Sequence, residues 1–249
     1  MKNYLYILLI TLISPTIVLS NEKSAWKFSA TLQLESKYVG SAGGNFYDGP
    51  VFQQGLTVSH KSGFYLNVFH TGEASSEFLD NENGFASEMD YTLGWAGKFK
   101  GLDLDTGVSY FDMGKTFDRS SDAVSSFFKV SKSYALKGNQ SIRPFIKIAT
   151  YQAVNDEPWQ GFRLFTGIGH NWKIDEKLSL GSEISIIYDD GAFGNDSGFI
   201  GKLSTSLTYK LNSSCSVTFP RITIYSPLQS LSDKRETEIV IGGGLTINF

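Results

Sequence analysis

The chain has 249 residues and a formal net charge of −3, with 25 glycines, 12 tyrosines, 19 phenylalanines and one cysteine. No basic excess marks a nucleic-acid partner, and Cys215 alone can form neither an intramolecular disulfide nor a cysteine-based metal site. Beyond residue 20 nothing approaches the run of about 18 apolar residues that a transmembrane helix needs, which leaves a soluble β protein or a transmembrane β-barrel.

The first segment, MKNYLYILLITLISPTIVLS, has Lys2 at its start, an apolar core from Leu5 to Ile13, and Val18 and Ser20 ahead of Asn21. This is the layout of a cleaved secretory signal over residues 1–20, leaving 21–249 as a single domain. Pro15 and the short core argue against a membrane anchor, and the lack of a cysteine near the cleavage point argues against a lipoprotein.

Alternation then begins. In AWKFSATLQLESKY, Trp26, Phe28, Ala30, Leu32, Leu34 and Tyr38 share one parity, and Lys27, Ser29, Thr31, Gln33, Glu35 and Lys37 the other. A period of two is the mark of a strand with one apolar and one polar face. ASEMDYTLGWAGKF repeats it, with Met89, Tyr91, Leu93, Trp95 and Phe99 against Glu88, Asp90, Thr92 and Lys98. So do KLSLGSEISIIYD, with Ile184, Ile186 and Tyr188 against Glu183 and Ser185, and GKLSTSLTYKL, with Leu203, Leu207 and Tyr209 against Lys202, Ser204 and Ser206. Twelve such segments start near residues 25, 51, 63, 85, 102, 123, 141, 160, 177, 199, 215 and 237. Each can cross a bilayer as a tilted strand of about 9–11 residues.

The connections sort by length. KSG, FKGL, KGNQ, DEK and LNSS are short, while GSAGGNFYDGP, EASSEFLDNENG, GKTFDRSSD, NDEPW, DGAFGNDSG and SPLQSLSDKRETE are longer and polar. Short periplasmic turns alternating with longer external loops distinguish an outer-membrane barrel from a β-sandwich. The sequence therefore predicts an all-β, transmembrane antiparallel barrel of about twelve strands.

Two irregularities stand out. Pro220 breaks the phase of the eleventh segment, because Ile222 and Ile224 continue the apolar set of Cys215, Val217 and Phe219 on the other parity. A bulge at Pro220 would repair this and turn Arg221 and Thr223 inward. Lys132 shares parity with Val130 and Tyr134, where a mid-bilayer lysine costs roughly 2–4 kcal/mol, so it is expected near an interface or a bulge.

The last segment, IVIGGGLTINF, ends on Phe249 without a polar tail. Pairing of the last strand with the first would hold that end. Gly244, Ile247 and Phe249 fall in a run resembling the carboxyl-terminal signal by which the barrel-assembly machinery recognises outer-membrane proteins, although Ile247 stands where an aromatic is common. The glycines at 242–244 are read as easing closure, since no Gly-Lys-Ser/Thr or helix follows them. Trp26, Trp95, Phe99, Trp172, Tyr209 and Phe249 are candidates for the inner aromatic girdle, and Tyr38, Tyr110 and Tyr188 for the outer one.

A family resemblance accompanies this pattern. SKYV at Ser36–Val39, PVFQQGL from Pro50 and SGFYLNVF from Ser62 together resemble the amino-terminal signature of TorF-type porins: a Ser-x-Tyr-Val strand, a Pro-x-x-Gln-Gly strand and a Ser-Gly-Phe-Tyr hairpin. Gln53 or Gln54 with Gly55, and Ser62 through Tyr65, carry the match. GSAGG replaces the family's Arg-Gly after Tyr-Val, and the tryptophan expected near Phe69 is absent. The resemblance implies a porin-type barrel and names no solute.

Inward parity places Glu88, Asp90, Asp103 and Asp105 on the fourth and fifth strands, and Lys129, Arg143, Lys147 and Arg163 on the sixth to eighth. One acidic and one basic sector in the lumen would impose a transverse field on polar solutes. Glu183 and Lys202 are further candidate pore-lining residues, and Lys98 and Asp103 flank one turn and can pair. Tyr65, Phe69, Phe111, Phe127, Phe145 and Phe165 share the inward parity and can narrow the passage. Hydrolase chemistry is not expected: His70 lies near Ser75 and Ser76 only through a loop, His170 shares parity with Ile168 and Trp172, and no Ser–His pair is anticipated. DNENG at 80–84, with Glu73 and Glu77, lacks the ligand spacing of a calcium loop. The expected protein is a narrow diffusion channel for small polar solutes in the bacterial outer membrane. Its expected partners are lipids and the assembly machinery, with no nucleic acid, cofactor, metal or catalytic residue. The alternative is a non-conducting structural or adhesive barrel acting through its external loops.

Overall fold

The computed structural model describes residues 24–74, 88–113, 122–154, 160–231, 233 and 235–249; the signal-like segment and the DNENG loop lie outside these. Twelve strands form the wall: β1 (Trp26–Glu35), β2 (Val51–His60), β3 (Phe64–Glu73), β4 (Glu88–Phe99), β5 (Leu102–Met113), β6 (Ala123–Ser131), β7 (Gln140–Ala153), β8 (Gln160–Lys173), β9 (Leu178–Asp189), β10 (Gly198–Lys210), β11 (Cys215–Pro227) and β12 (Glu238–Asn248). Every strand pairs antiparallel with its sequence neighbours, and β12 closes onto β1 from Asn248↔Ser29 to Gly242↔Glu35. The fold is a closed twelve-stranded antiparallel barrel.

Alternation decides which face each residue takes. Leu93 is 64% exposed, Phe219 66%, Ile184 62% and Ile146 58%, and these outward residues form a continuous apolar belt. A soluble monomer rarely exposes such a surface, whereas lipid matches it. At the periplasmic rim Trp26, Phe99, Trp172 and Tyr209 face outward and exposed. At the opposite rim Tyr188 lies between Phe162 and Phe199, with ring centroids 5.8 and 5.0 Å away. Phe249 is tied to the first strand by its backbone N–H, which donates to the Phe28 carbonyl at 2.9 Å.

The β11 irregularity is as the phase break predicts. Thr208↔Thr218 is followed by Ser206↔Arg221, so β11 carries one extra residue and Arg221 and Thr223 turn inward. The same slip appears against β12 between Thr218 and Arg221. There, Gly242 and Gly244 allow β1 to approach closely: a Cβ on either would lie 2.6 Å from the Leu34 or Leu32 carbonyl oxygen. Into the space above these glycines lean Glu35 and Gln33, which meet Arg221 at 3.1 and 2.6 Å. Lys132 falls just after β6, at the periplasmic end, with Nζ 5.3 Å from the Tyr134 ring centroid.

Candidate functional site

The interior divides into two halves along the barrel axis. In the extracellular half, the first long connection (residues 36–50) folds inward and does not project outward as an external loop. Tyr38–Val39 and Asn45–Tyr47 pair as a small hairpin, which sets Ala42 against Ile187, Ile200, Tyr225 and Val240. Ala42 is 2% exposed, Ile187 0% and Ile200 1%, so this is a packed apolar core inside a polar lumen. The hairpin tip needs glycine at 43: its φ of +80° is left-handed, and a Cβ would stand 3.3 Å from Tyr225 Cβ.

Polar contacts fix the hairpin at three points. Tyr38, expected in the outer girdle, is instead buried and donates its hydroxyl to Glu88 inside the barrel, because the chain turns inward after Glu35. Burial first, then the Glu88 charge, hold the Tyr38 phenol well above its ordinary pKa, so it remains a proton donor. Lys37 Nζ reaches Asp48 and Glu238 at 2.8 Å each, and its amine is held above its ordinary pKa first by the Asp48 hydrogen bond and then by Glu238. At the tip, Arg163 donates to Ser41 Oγ at 3.0 Å, and Arg235 donates to the Ala42 carbonyl at 3.3 Å.

Those two arginines share one carboxylate. Asp189, fully buried, lies 3.2 Å from Arg163 Nε and 2.9 Å from Arg235 Nη1. Asp233 takes Arg235 Nε at 2.8 Å and exchanges backbone-to-carboxylate hydrogen bonds with Asp196. Three connections, 36–50, 190–197 and the described part of 228–237, thereby converge on Asp189. A further aromatic roof forms where Phe193 meets Tyr151, Phe111 and the Arg163 guanidinium at 5.0, 6.1 and 5.1 Å.

Below this plug the lumen is less filled. A cavity of 340 Å³ lies against Tyr65, Asn67, Ser109, Phe127 and Lys147, and another of 460 Å³ against Ser141, Arg143, Asn171 and Glu183. Lys147 Nζ sits between the rings of Phe127 and Phe165, at 5.0 and 5.4 Å, and Lys129 Nζ lies 4.9 Å from the Phe145 centroid. Lys129 and Lys147 are register partners, two like charges side by side. Among the described residues neither they nor Arg143 forms an ion pair.

The sequence-predicted residues therefore separate into groups. Glu88, Asp90 and Arg163 lie in the plugged half; Asp105, Lys129, Arg143, Lys147, Glu183 and Lys202 face the open half. Lys98 and Asp103 pair at 3.3 Å at the periplasmic rim. Glu183 and Lys202 pair at 3.0 Å. The acidic and basic strands adjoin at β5 and β6, where Asp105 is the register neighbour of Lys129 and accepts the Tyr65 hydroxyl at 2.9 Å. Gly244 and Ile247 sit in the closing strand opposite Gln33 and Ala30.

Sequence reasoning missed Asp189, Arg235 and the inward hairpin. A signal was present: Ile187, Ile200 and Val240 are apolar residues on the polar parity of β9, β10 and β12, where only something apolar inside the lumen could cover them. It also missed one Ser–His contact, His60 Nδ1 to Ser62 Oγ at 2.7 Å. This is a local turn contact at the exposed periplasmic end, with the imidazole tilted against Trp26 at 4.7 Å. Among the described residues no group of three or more His, Cys, Asp or Glu side chains is placed to hold a metal.

Residues 20–143 match a family model described as a bacterial protein of unknown function (Gcw_chp), a span that contains the SKYV, PVFQQGL and SGFYLNVF segments. No curated protein matches the sequence. The fold is similar to that of the NanC porin (8% identity, TM-score 0.54, 90% of this chain and 99% of that one). It is similar also to an outer-membrane channel from Pseudomonas putida F1 (9%, 0.53, 90% and 96%) and to the β domain of the Bordetella autotransporter BrkA (10%, 0.53, 91% and 100%). These neighbours are outer-membrane barrels, and at such low identity the likeness speaks for the barrel fold alone.

Proposed function

We propose that this protein is a narrow diffusion channel for small polar solutes in the outer membrane of a Gram-negative bacterium, with the 36–50 hairpin as its constriction. The observation that carries this reading is that Arg143 and Lys147 line lumenal cavities, with Lys129 beside Lys147, and that among the described residues none of the three forms an ion pair. A wall built only for rigidity would pair its buried charges, as Arg163 and Asp189 do. Residues 1–20 are the cleaved signal, the apolar belt meets lipid, and Gly244, Ile247 and Phe249 present the closing strand to the assembly machinery. The TorF-type porin resemblance agrees with this reading.

A second reading has its own observation in support. The apolar core between Ala42 and Ile187, Ile200 and Val240 fills the extracellular half, as in a barrel that does not conduct. Single-channel recording of refolded protein separates the two, together with a variant in which residues 39–46 are replaced by two glycines. The channel reading expects small steady steps from the parent and several-fold larger ones from the variant. Silence from both overturns it.

A further inference from the structure

The 340 Å³ cavity beneath the plug has three chemically distinct sides. One carries a single cation, Lys147, with Lys129 behind it. The second is aromatic: Phe127 and, under the roof, Phe111 and Tyr151. The third is a row of small neutral polar groups on β3, β4, β5 and β6: Asn67, Thr92, Ser109 and Ser125. Within it Thr92 and Ser109 hydroxyls lie 2.7 Å apart, and Asn67 donates to Thr57 at 2.9 Å, so the row is held in place and keeps lone pairs directed inward.

These three sides select a ligand class. Two lysines side by side without an ion pair repel each other, and an anion between them and the cavity relieves that repulsion. Chloride would satisfy the charge but leave the aromatic and hydroxyl sides unused. A flat hydrocarbon acid would use the aromatic side and leave the polar row desolvated. The cavity volume falls at the lower end of small-molecule pockets, roughly 300–1,000 Å³, which suits one sugar-sized ring. Asp105, held by Tyr65 close to Lys129, adds a negative charge on one flank that disfavours a dianion there.

We propose that this cavity binds a small polyhydroxylated ring monocarboxylate, a sugar acid. Its carboxylate meets Lys147, its C–H face lies on Phe127, and its hydroxyls face Asn67, Thr92 and Ser109. The assignment deepens the channel reading and rests on it for access, but binding needs only a lumen that the solute can enter. Titration calorimetry of the refolded protein in detergent, with D-glucuronate, D-glucose and benzoate as probes, tests it. Glucuronate should bind at least tenfold more tightly than either neutral glucose or benzoate, and more weakly as salt rises. Lys147→Met should reduce glucuronate affinity at least tenfold, while Lys132→Met, at the periplasmic rim, should leave it unchanged; heat-modifiable gel mobility establishes that both variants fold. Equal binding of glucose and glucuronate, benzoate binding as tightly as glucuronate, or undiminished affinity in folded Lys147→Met, would each overturn the site. A protein that conducts without binding glucuronate sinks the site and spares the channel. One that binds without conducting does the reverse.

Discussion

The two halves of the lumen handle charge in opposite ways. In the extracellular half several ionic groups are enclosed and answered: Asp189 by two arginines, Glu35 by Arg221, Glu88 by Tyr38. In the periplasmic half, Arg143 and Lys147 line cavities and Lys129 stands beside Lys147; among the described residues none of the three forms an ion pair, and aromatic rings lie against both lysines. Both halves obey the same inward parity, so alternation determines which face a residue takes and says nothing about whether its charge holds the fold or faces a solute. Burial makes that distinction. An enclosed charge must be paired, whereas one beside a solvated cavity need not be.

The sharpest way to break this comparison is to remove one carboxylate from each half. Asp189→Ala leaves two arginines buried without their counterion and should cost about 3–5 kcal/mol. Glu183→Ala breaks an ion pair whose two side chains are 34% and 26% exposed, and such pairs contribute about 0–1 kcal/mol. Urea unfolding from lipid vesicles measures both. Equal losses would mean that the halves do not differ as described.

What was legible in the sequence follows from the same distinction. Twelve strands, their order, the bulge after Phe219 and the position of Lys132 all follow from a period of two and its interruptions, because each strand is read locally. The hairpin was not legible as a plug, since GSAGGNFYDGP has the glycine-rich polar composition of an exposed loop. Its partners Ile187, Ile200 and Val240 come from three different strands, β9, β10 and β12, and only the register brings them to one level. Asp189 and Arg235 were hidden for the same reason: they are 46 residues apart and meet only because three connections fold inward together. The lumenal candidates were found as a set, but register was needed to show that Asp105 and Lys129 stand at one level as direct partners.

A smaller effect is expected at the seam, where the halves share one closing strand. Phe249 is bound to Phe28 through its backbone and adds an outward ring at the periplasmic rim. Deleting it should slow insertion and lower the folded yield while leaving the hairpin core, at the far end, intact. Heat-modifiable mobility against time of expression reads the yield. A normal yield would remove Phe249 from the assembly signal without touching the lumen.

The smallest effect concerns ion selectivity, and it sharpens the comparison most directly. Below the plug, four cations (Lys129, Arg143, Lys147 and Lys202) stand against two carboxylates, Asp105 and Glu183. If this half is the permeation path, Lys129→Glu, Arg143→Glu and Lys147→Glu together should move selectivity from anions towards cations. Arg163 is left unchanged in this design, because its charge is already committed to Asp189 in the other half. Fixed charges act on passing ions through screened distances, so the shift should shrink as the Debye length falls from about 10 Å at 0.1 M salt to about 3 Å at 1 M. Reversal potentials across a salt gradient measure it. A folded, conducting triple variant with unchanged selectivity would put the path elsewhere. The unpaired cations would then face a closed chamber, and the contrast between the two halves would be one of solvation and not of transport.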